Sequence, residues 1–594
     1  MFQSMAKPAA SLLAGVTEAV LGAGSMIRTE FHRSGGPRVQ GGKATIDIEV
    51  EQLLQRRLLA LRACNFLGEE TAPDGELADE AWVVDPQDGT SEFLRGRRGS
   101  AVSVALLRAG RPVLGVVHAP LAPDDDGDLI AWAEGAALTR NGRGVRPSGG
   151  NRPPLVALNA DAADHERGNR ERLPGLRVRA LPSPAYRLAL TAAGEVDAGI
   201  SLTRGLAPWD IAGGHALLTG AGMILTDGSG RAIDYDRRSF DGCIGGPAPM
   251  VERILASPPR RSPGEPCRPA QPRRRVADAA MLSRAQGCLL GQIAGDALGS
   301  AVEFRTAADI RRSHPRGVTT LEDGGTWDLI AGQPTDDGEL ALALARTLVA
   351  RGGFDAAEVG GAYVAWSRSG PFDIGGTTAD GIAAIATGRP LRSESQSNGA
   401  LMRVSPIGLL AAGDRATAAR LAADDARLTH PHPVCQSASA ALAAAIAVGV
   451  KGGEADEMSA AAHAAAEAEA VRERLVAART RPPDDYQRQM GWVLTALHNA
   501  FYWLMRGAPL AEAVVATVAR GGDTDTNGAV CGALLGSLQG REAVPLQWRN
   551  AVLTCRPVRA AGVRHPRPPA YWPDDVLDLA EALLVAASCR SGDR

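Results

Sequence analysis

The chain has 594 residues, 45% hydrophobic and 22% charged, with a formal net charge of -3 and a pI of about 6.4. That composition supports packed cores in more than one domain and excludes a disordered chain. Its near-neutral balance points to neither a nucleic acid nor an anionic membrane as partner. Only Lys7, Lys43 and Lys451 are lysines, so nearly all positive charge is arginine and single arginines carry little meaning.

The first predicted element is an amphipathic helix within residues 9–24. Glu18 interrupts its apolar run, and no basic segment or clear cleavage site accompanies it, so it does not read as a leader. The longest apolar runs fall short of 18 residues, so no membrane span is expected. The eight cysteines are scattered without a C-x-x-C pair, which suits a reducing compartment and sets the expectation of a cytoplasmic protein.

Acidic residues then cluster. Asp47 and Glu51 lie one helical turn apart, and Glu69 and Glu70 close the segment FLGEE. The run AWVVDPQDGTSEF reads as a buried strand ending near Asp85, a turn stiffened by Pro86, and a helix starting near Thr90. Gly89 permits close backbone approach, and Thr90 sits where helix N–H groups are unpartnered. Phosphate at such an acidic helix start requires cations between the carboxylates and the phosphate. Strand-like runs SAVSVALL and PVLGVVHA and the helical runs LALTAAG and DIAGGHALLTGAG, the last carrying Asp210, complete an α/β layered sandwich over residues 1–256.

Residues 257–280 begin with SPPRRSPGEPCRPAQPRRR, which cannot build a core and reads as a Pro/Arg-rich linker. Beyond it, residues 281–594 are dominated by Ala/Leu-rich helical patterns such as ELALALARTLVA and SASAALAAAIAVGV, so this domain is expected to be all-α. Two oxygen-rich segments stand far apart in it. PTDDGEL carries Thr335, Asp336 and Asp337; RGGDTDTNGAVCGALLG carries Asp523, Asp525 and Thr526. Hydroxyls and carboxylates at this spacing are hard ligands, and the two sets brought together could hold two magnesium ions. Gly521 and Gly522 would let the backbone turn sharply into the following small-residue helix.

WVVDPQDGTSEF, LGEE and PWDIAGGHALLTGAG resemble the inositol monophosphatase superfamily over residues 8–256, nearest its 3'(2'),5'-bisphosphate nucleotidase branch. The resemblance implies two or three Mg2+ ions held by Glu69, Asp85, Asp88 and Asp210 with the Gln87 carbonyl. It makes Asp47 and Thr90 the pair that orients and deprotonates water, and the amides of Gly89 and Thr90 the phosphate binders. Where that family shows a Gly-Ser substrate loop, this chain has Ser183 between two prolines, a departure expected to alter the leaving-group pocket.

GCLLGQIAGDALGSAVEF, PTDDGEL, SNGALMRVSPIG and RGGDTDTNGAVCGALLG resemble the ADP-ribosylglycohydrolase family over residues 281–589. The resemblance implies two Mg2+ ions on Thr335, Asp336, Asp337, Asp523, Asp525 and Thr526, a substrate-side Glu303, and a ribose- and phosphate-contacting loop with Asn398, Gly399 and Met402. Gly338 replaces a threonine common in that family, an exchange expected to loosen the surroundings of one metal. His430 and His432 of THPHP are read as structural.

The expected protein is a bifunctional hydrolase. One half would cleave a phosphomonoester of a nucleotide bisphosphate or a related small molecule; the other would cleave the C1'' glycosidic bond of an ADP-ribosyl conjugate. The alternative is an inositol or sugar phosphatase fused to a non-catalytic ADP-ribose-binding module. A homodimer is left open by either reading.

Overall fold

The computed structural model describes residues 8–33, 36–40, 43–71, 79–145, 154–159, 173, 176–256, 276–557 and 563–591. Residues 257–275, most of the expected linker, lie outside the described residues. The chain divides into two compact units, with Met1–Arg273 in the first and Arg274–Pro557 and Arg564–Arg594 in the second.

The first unit is layered. A short antiparallel pair, β1 (Val39–Gln40) and β2 (Lys43–Ala44), precedes the helix Thr45–Leu61. Strands β3 (Asn65–Gly68), β4 (Glu80–Asp88), β5 (Ala101–Arg108), β6 (Arg111–Ala119), β7 (Asp128–Ala133), β8 (Thr139–Arg140) and β9 (Arg143–Gly144) form one sheet in sequence order. Only the β3–β4 pairing is parallel; the rest is an antiparallel meander. A second sheet has the order β11 (Arg177–Leu181), β10 (Leu155–Asn159), β12 (Ala198–Ser201), β14 (Cys243–Gly246), β13 (Ile224–Asp227).

The two-residue alternation of these strands decides the layers. Trp82, Val84, Val102 and Val104 face the helices Ala9–Phe31 and Thr45–Leu61. Their neighbours Val83, Ala101 and Ala105 face the helices Pro184–Ala192 and Pro208–Gly220. That helix pair also packs on the second sheet through Ala157, Leu225 and Cys243. Val156, Leu158 and Ile200 point the other way, onto the helix Ala248–Ala256. The result is a helix–sheet–helix–sheet–helix stack.

The second unit is helical; its described residues contain no β-strand, only isolated bridges such as Thr306 with Gly521. Its central contact is between the helices Ala279–Gly299 and Thr524–Gln539, which run antiparallel with glycine on both faces. A Cβ on Gly291 would strike the carbonyl oxygen of Gly532, one on Gly295 that of Gly528, and one on Gly299 that of Thr524. The four-residue spacing puts these glycines on one stripe of each helix, so the backbones touch. This approach brings the carboxylates at the C-terminal end of one helix to the N-terminal end of the other.

Among the described residues, two helices have the length and mean hydropathy to cross a membrane: Ala9–Phe31 at 1.5 and Pro433–Lys451 at 1.6. The first lays its apolar face on the sheet. The second is a core helix of its unit, with 78% of the apolar window buried.

Candidate functional sites

In the first unit, three carboxylates meet at the end of β4. Asp85 and Asp88 come from the strand and Asp210 from the first turn of the helix Pro208–Gly220; one oxygen from each lies within 4.8 Å of the others. Beyond the expected strand end at Asp85, β4 continues to Asp88 with a register shift between them. Pro86 has no N–H for the ladder, and the irregularity there points both aspartates to one place. Gly89, at φ 96°, then turns the chain in the left-handed region into the helix Thr90–Leu94.

Glu69 stands beside these carboxylates, its charge felt by Asp85 and Asp210. Burial, reinforced by the neighbouring carboxylates, pushes Glu69 and Asp210 up to about 7 and Asp85 well above the usual range. Asp88 is likewise raised to about 7 by burial, although Ser183 Oγ and Ala185 N donate to its Oδ2 at 2.6 and 2.7 Å. Asp47, on the helix Thr45–Leu61, is raised to about 8 by burial, and Thr90 Oγ1 lies 3.2 Å from its Oδ2. The same hydroxyl is 2.8 Å from the Gln87 carbonyl, which retains a second lone pair. A cluster of buried carboxylates held up in this way fits a hard cation, as does Asp47 Oδ1, which is buried without a protein donor.

The sequence reading gave no role to three contributors. Glu51 accepts from Glu70 N at 2.8 Å and Thr71 N at 2.6 Å, fixing the loop that carries Glu69. Lys43 pairs with Glu70 at 3.0 Å, and its ammonium faces Glu69 and Asp47. Arg187 is buried, donates to the Leu181 carbonyl at 2.6 Å, and draws the Asp88 and Asp210 values down. Glu51 was visible as a helix-face partner of Asp47; the other two carried no spacing signal. Ser183 caps the helix Pro184–Ala192 by accepting from Tyr186 N at 2.9 Å, and its hydroxyl is spent on Asp88.

In the second unit the two distant aspartate segments meet. Thr526 Oγ1 lies 3.3 Å from Asp337 Oδ2 across 189 residues of sequence. Glu303, Asp336, Asp337, Asn398, Gly399, Met402, Asp523, Asp525 and Thr526 line one cleft. Thr335 lies under it as the N-cap residue of the helix Asp336–Arg351. Asn398 Nδ2 donates to Asp523 Oδ2 at 2.8 Å, so this loop holds an aspartate as well as facing the cleft.

Two acids here escaped the sequence reading. Asp373 groups with Glu303 and Asp525, one oxygen of each lying within 4.8 Å of the others. Asp296, fully buried on the helix Ala279–Gly299, accepts from Thr335 Oγ1 at 2.9 Å and from Gly338 N at 2.8 Å, aligning the start of the next helix. Asp296 lay within the quoted GDALG; Asp373 had no paired acid in sequence to mark it. Burial raises Glu303 to about 8 and Asp373 to about 6, with neighbouring carboxylates adding to both. Asp336, Asp337 and Asp525 stand well above their usual range for the same reasons. Asp337 Oδ1 is buried without a donor, and this donor set too fits hard cations.

Gly338 sits directly against Asp296. A Cβ there would come within 2.7 Å of Asp296 Oδ2 and Ile293 Cδ1, so glycine is what lets Asp296 reach the backbone. His430 is buried and held down to about 3, chiefly by burial and then by Arg403; its ring packs against Gly399. His432 caps the helix Pro433–Lys451 through Val434 N at 3.2 Å.

These two units define two hydrolase-type centres on one chain. The chain belongs to the inositol monophosphatase family through residues 9–265 and to the ADP-ribosylglycohydrolase family through residues 277–591. Both are families of hydrolytic enzymes. One relative is the ADP-ribosyl-[dinitrogen reductase] glycohydrolase of Rhodospirillum rubrum, 32% identical over 45% of this chain and 88% of the relative. Another is the 3'(2'),5'-bisphosphate nucleotidase CysQ of Escherichia coli (strain K12), 33% identical over 29% of this chain and 71% of the relative. Among solved structures, an ADP-ribosylglycohydrolase-related protein complex is similar at 28% identity and a TM-score of 0.43, covering 52% of this chain and 99% of that one.

Proposed function

We propose that the chain is a magnesium-dependent bifunctional hydrolase, with a nucleotide-bisphosphate-type phosphomonoesterase in the first unit and an ADP-ribosyl-conjugate glycohydrolase in the second. The observation that supports both halves is the same: acids from separate elements converge in burial where their mutual repulsion calls for cations.

In the first unit, Glu69, Asp85, Asp88, Asp210 and the Gln87 carbonyl are the proposed metal-holding groups, in an arrangement suited to two or three ions. When bound, magnesium supplies charge neutralisation for the phosphate and polarises its oxygens. Asp47 and Thr90 orient the attacking water, with Asp47 as proton acceptor, and the amides of Gly89 and Thr90 face the phosphate oxygens at the helix start.

In the second unit, Thr335, Asp336, Asp337, Asp523, Asp525 and Thr526 are the proposed ligands of two magnesium ions. Bound there, the ions would hold the vicinal hydroxyls of the distal ribose. Glu303 and Asp373 are the carboxylates that would stabilise the oxocarbenium-like charge building at C1'' as the glycosidic bond breaks. The loop Asn398–Met402 contacts ribose and phosphate. The test is product release by the full chain, with magnesium and then with chelator. Phosphate from adenosine 3',5'-bisphosphate is compared with phosphate from inositol 1-phosphate, and ADP-ribose release is followed from ADP-ribosylated peptides. Undiminished turnover in chelator would overturn the metal assignment.

A further inference from the structure

Asp373 lines the cleft of the second unit from the loop that follows the helix Ala356–Arg368. That loop has to be fixed against the helix Asp336–Arg351, whose first turn carries Asp336 and Asp337. The tie at the cleft itself, Gly375 N to Asp336 Oδ2, is long at 3.4 Å. Shorter ties run behind the cleft through Arg567. Its guanidinium donates to both oxygens of Glu339, from Nε at 2.7 Å and from Nη2 at 2.8 Å. The same group donates to the Ser369 carbonyl at 3.1 Å and to Ser369 Oγ at 2.8 Å. Glu339 follows Asp337 by two residues, about 200° around the helix, so it points away from Asp337. Ser369 closes the other helix, four residues before Asp373. Both charged side chains are only 2% exposed, and Trp366 Nε1 donates to Glu339 Oε2 at 2.7 Å. The neighbours of Arg567 add to this hold. The His565 ring meets Phe372, which directly precedes Asp373, with centroids 4.7 Å apart. The His565 carbonyl accepts from Gln333 Nε2 at 2.7 Å, and the Arg567 carbonyl accepts from Trp572 Nε1 at 2.7 Å.

We propose that Arg567 is a positioning residue of the second centre, a single guanidinium that fixes the Asp373 loop against the helix of Asp336 and Asp337. The inference rests on the glycohydrolase reading of this unit and adds to its site residues 565–572, which follow every acid of the cleft in sequence. A carboxylate that meets charge appearing only in the transition state has to stand at a set distance from C1''. Misplacement by about 1 Å costs up to about a hundredfold in rate. The planar fork of a guanidinium reaches Glu339 and Ser369 at once and holds both in one plane. A lysine ammonium, a point charge on a flexible stem, does not. Stability alone does not account for the pair, because apolar residues of similar volume often serve as well as a buried ion pair.

The experiment uses the full chain in magnesium and follows ADP-ribose release from an ADP-ribosylated peptide. Thermal melting and calorimetric binding of free ADP-ribose are measured beside it. Arg567→Lys keeps a charge opposite Glu339 but loses the span to Ser369. Its kcat should fall about ten- to hundredfold, while KM and the affinity for ADP-ribose stay within about threefold. Arg567→Met combined with Glu339→Met removes both charges and leaves neither buried alone, so it should fold and show the same loss of kcat. Arg346→Met is the control. Arg346 holds the same C-terminal segment to the same helix two turns beyond Glu339, through Ala570 O and Asp575, each at 2.8 Å. This variant should melt earlier than wild type with kcat within about threefold. An equal loss of kcat in Arg346→Met would show that the segment acts through stability alone and would overturn the proposal. Wild-type kcat in the double variant would overturn it as well, and wild-type kcat in Arg567→Lys would overturn the role given to the fork. A wild type that releases no ADP-ribose would overturn the glycohydrolase reading and this proposal together, and is recognised before any variant is made.

Discussion

Ser183 Oγ donates to Asp88 Oδ2 at 2.6 Å, joining the residue that replaces a family glycine-serine loop to a carboxylate 95 positions earlier. Ser183→Ala leaves Ala185 N as the one remaining donor shown for that oxygen, and it removes the helix cap at Tyr186 N. The cap loss should cost about 1 kcal/mol in denaturant unfolding. The half-saturating magnesium concentration for phosphate release should rise about tenfold or more, as for other lost supports of a ligand. An unchanged magnesium requirement would show that the hydroxyl serves the helix alone.

Asp85→Asn removes a fully buried charge from the centre of the first cluster. Phosphate release should fall by about 10³-fold or more, equivalent to roughly 4 kcal/mol of transition-state stabilisation. ADP-ribose release by the same preparation is the internal control and should be unaffected. A variant that keeps a tenth of wild-type phosphatase activity would exclude Asp85 from a shared metal-ligand role.

Asp523→Ala combined with Asp525→Ala should abolish ADP-ribose release. Asp523 also caps the helix Thr524–Gln539, accepting from Thr526 N at 3.3 Å, so about 1 kcal/mol of stability should be lost with it. Removing Asp525 relieves repulsion from Glu303, Asp523 and Asp337, which offsets that loss. Far-ultraviolet circular dichroism should therefore match wild type. Retained activity would show the ligand assignment to be wrong.

Gly532→Ala places a methyl group against the Gly291 carbonyl, where neither helix backbone has room to withdraw. The expected cost is at least about 1–3 kcal/mol, seen as an earlier unfolding transition of the helical unit. ADP-ribose release should fall while phosphate release persists. Wild-type melting would mean that the two helices part more easily than their contact implies.

The raised carboxylates set the pH dependence of the metal-free chain. Glu69, Asp88, Asp210 and Asp296 stand at about 7 when folded, against ordinary values of 3.8 to 4.5. Between those limits these groups bind more protons in the folded chain than in the unfolded chain, so their contribution to stability falls as pH rises from about 4 to 8. Thermal melting in chelator should be lower at pH 8 than at pH 5.5. Magnesium should raise the melting temperature more at pH 8, where the carboxylates are charged and free to bind it. A metal-free chain that gains stability across this range would contradict the burial of these groups.

The sequence by itself determined the two classes of fold and most of the acids. Alternation in AWVVD and SAVSVALL is a two-residue pattern that fixes which side chains enter which layer. The helical spacing after residue 281 requires helices to bury it, and DPQDGT and GGDTDT concentrate oxygen ligands within a few residues, where proximity along the chain suffices. What lies far apart in sequence was decided only by packing. Asp373 joins Glu303 and Asp525 from a loop of its own, and Asp296 reaches Thr335 and Gly338 because a glycine at 338 leaves room for its carboxylate. The role of Ser183 likewise depended on a helix start arriving beside β4. A lone aspartate or serine carries no spacing signal, since its partners come from other elements and burial turns them into a site only after the layers have closed.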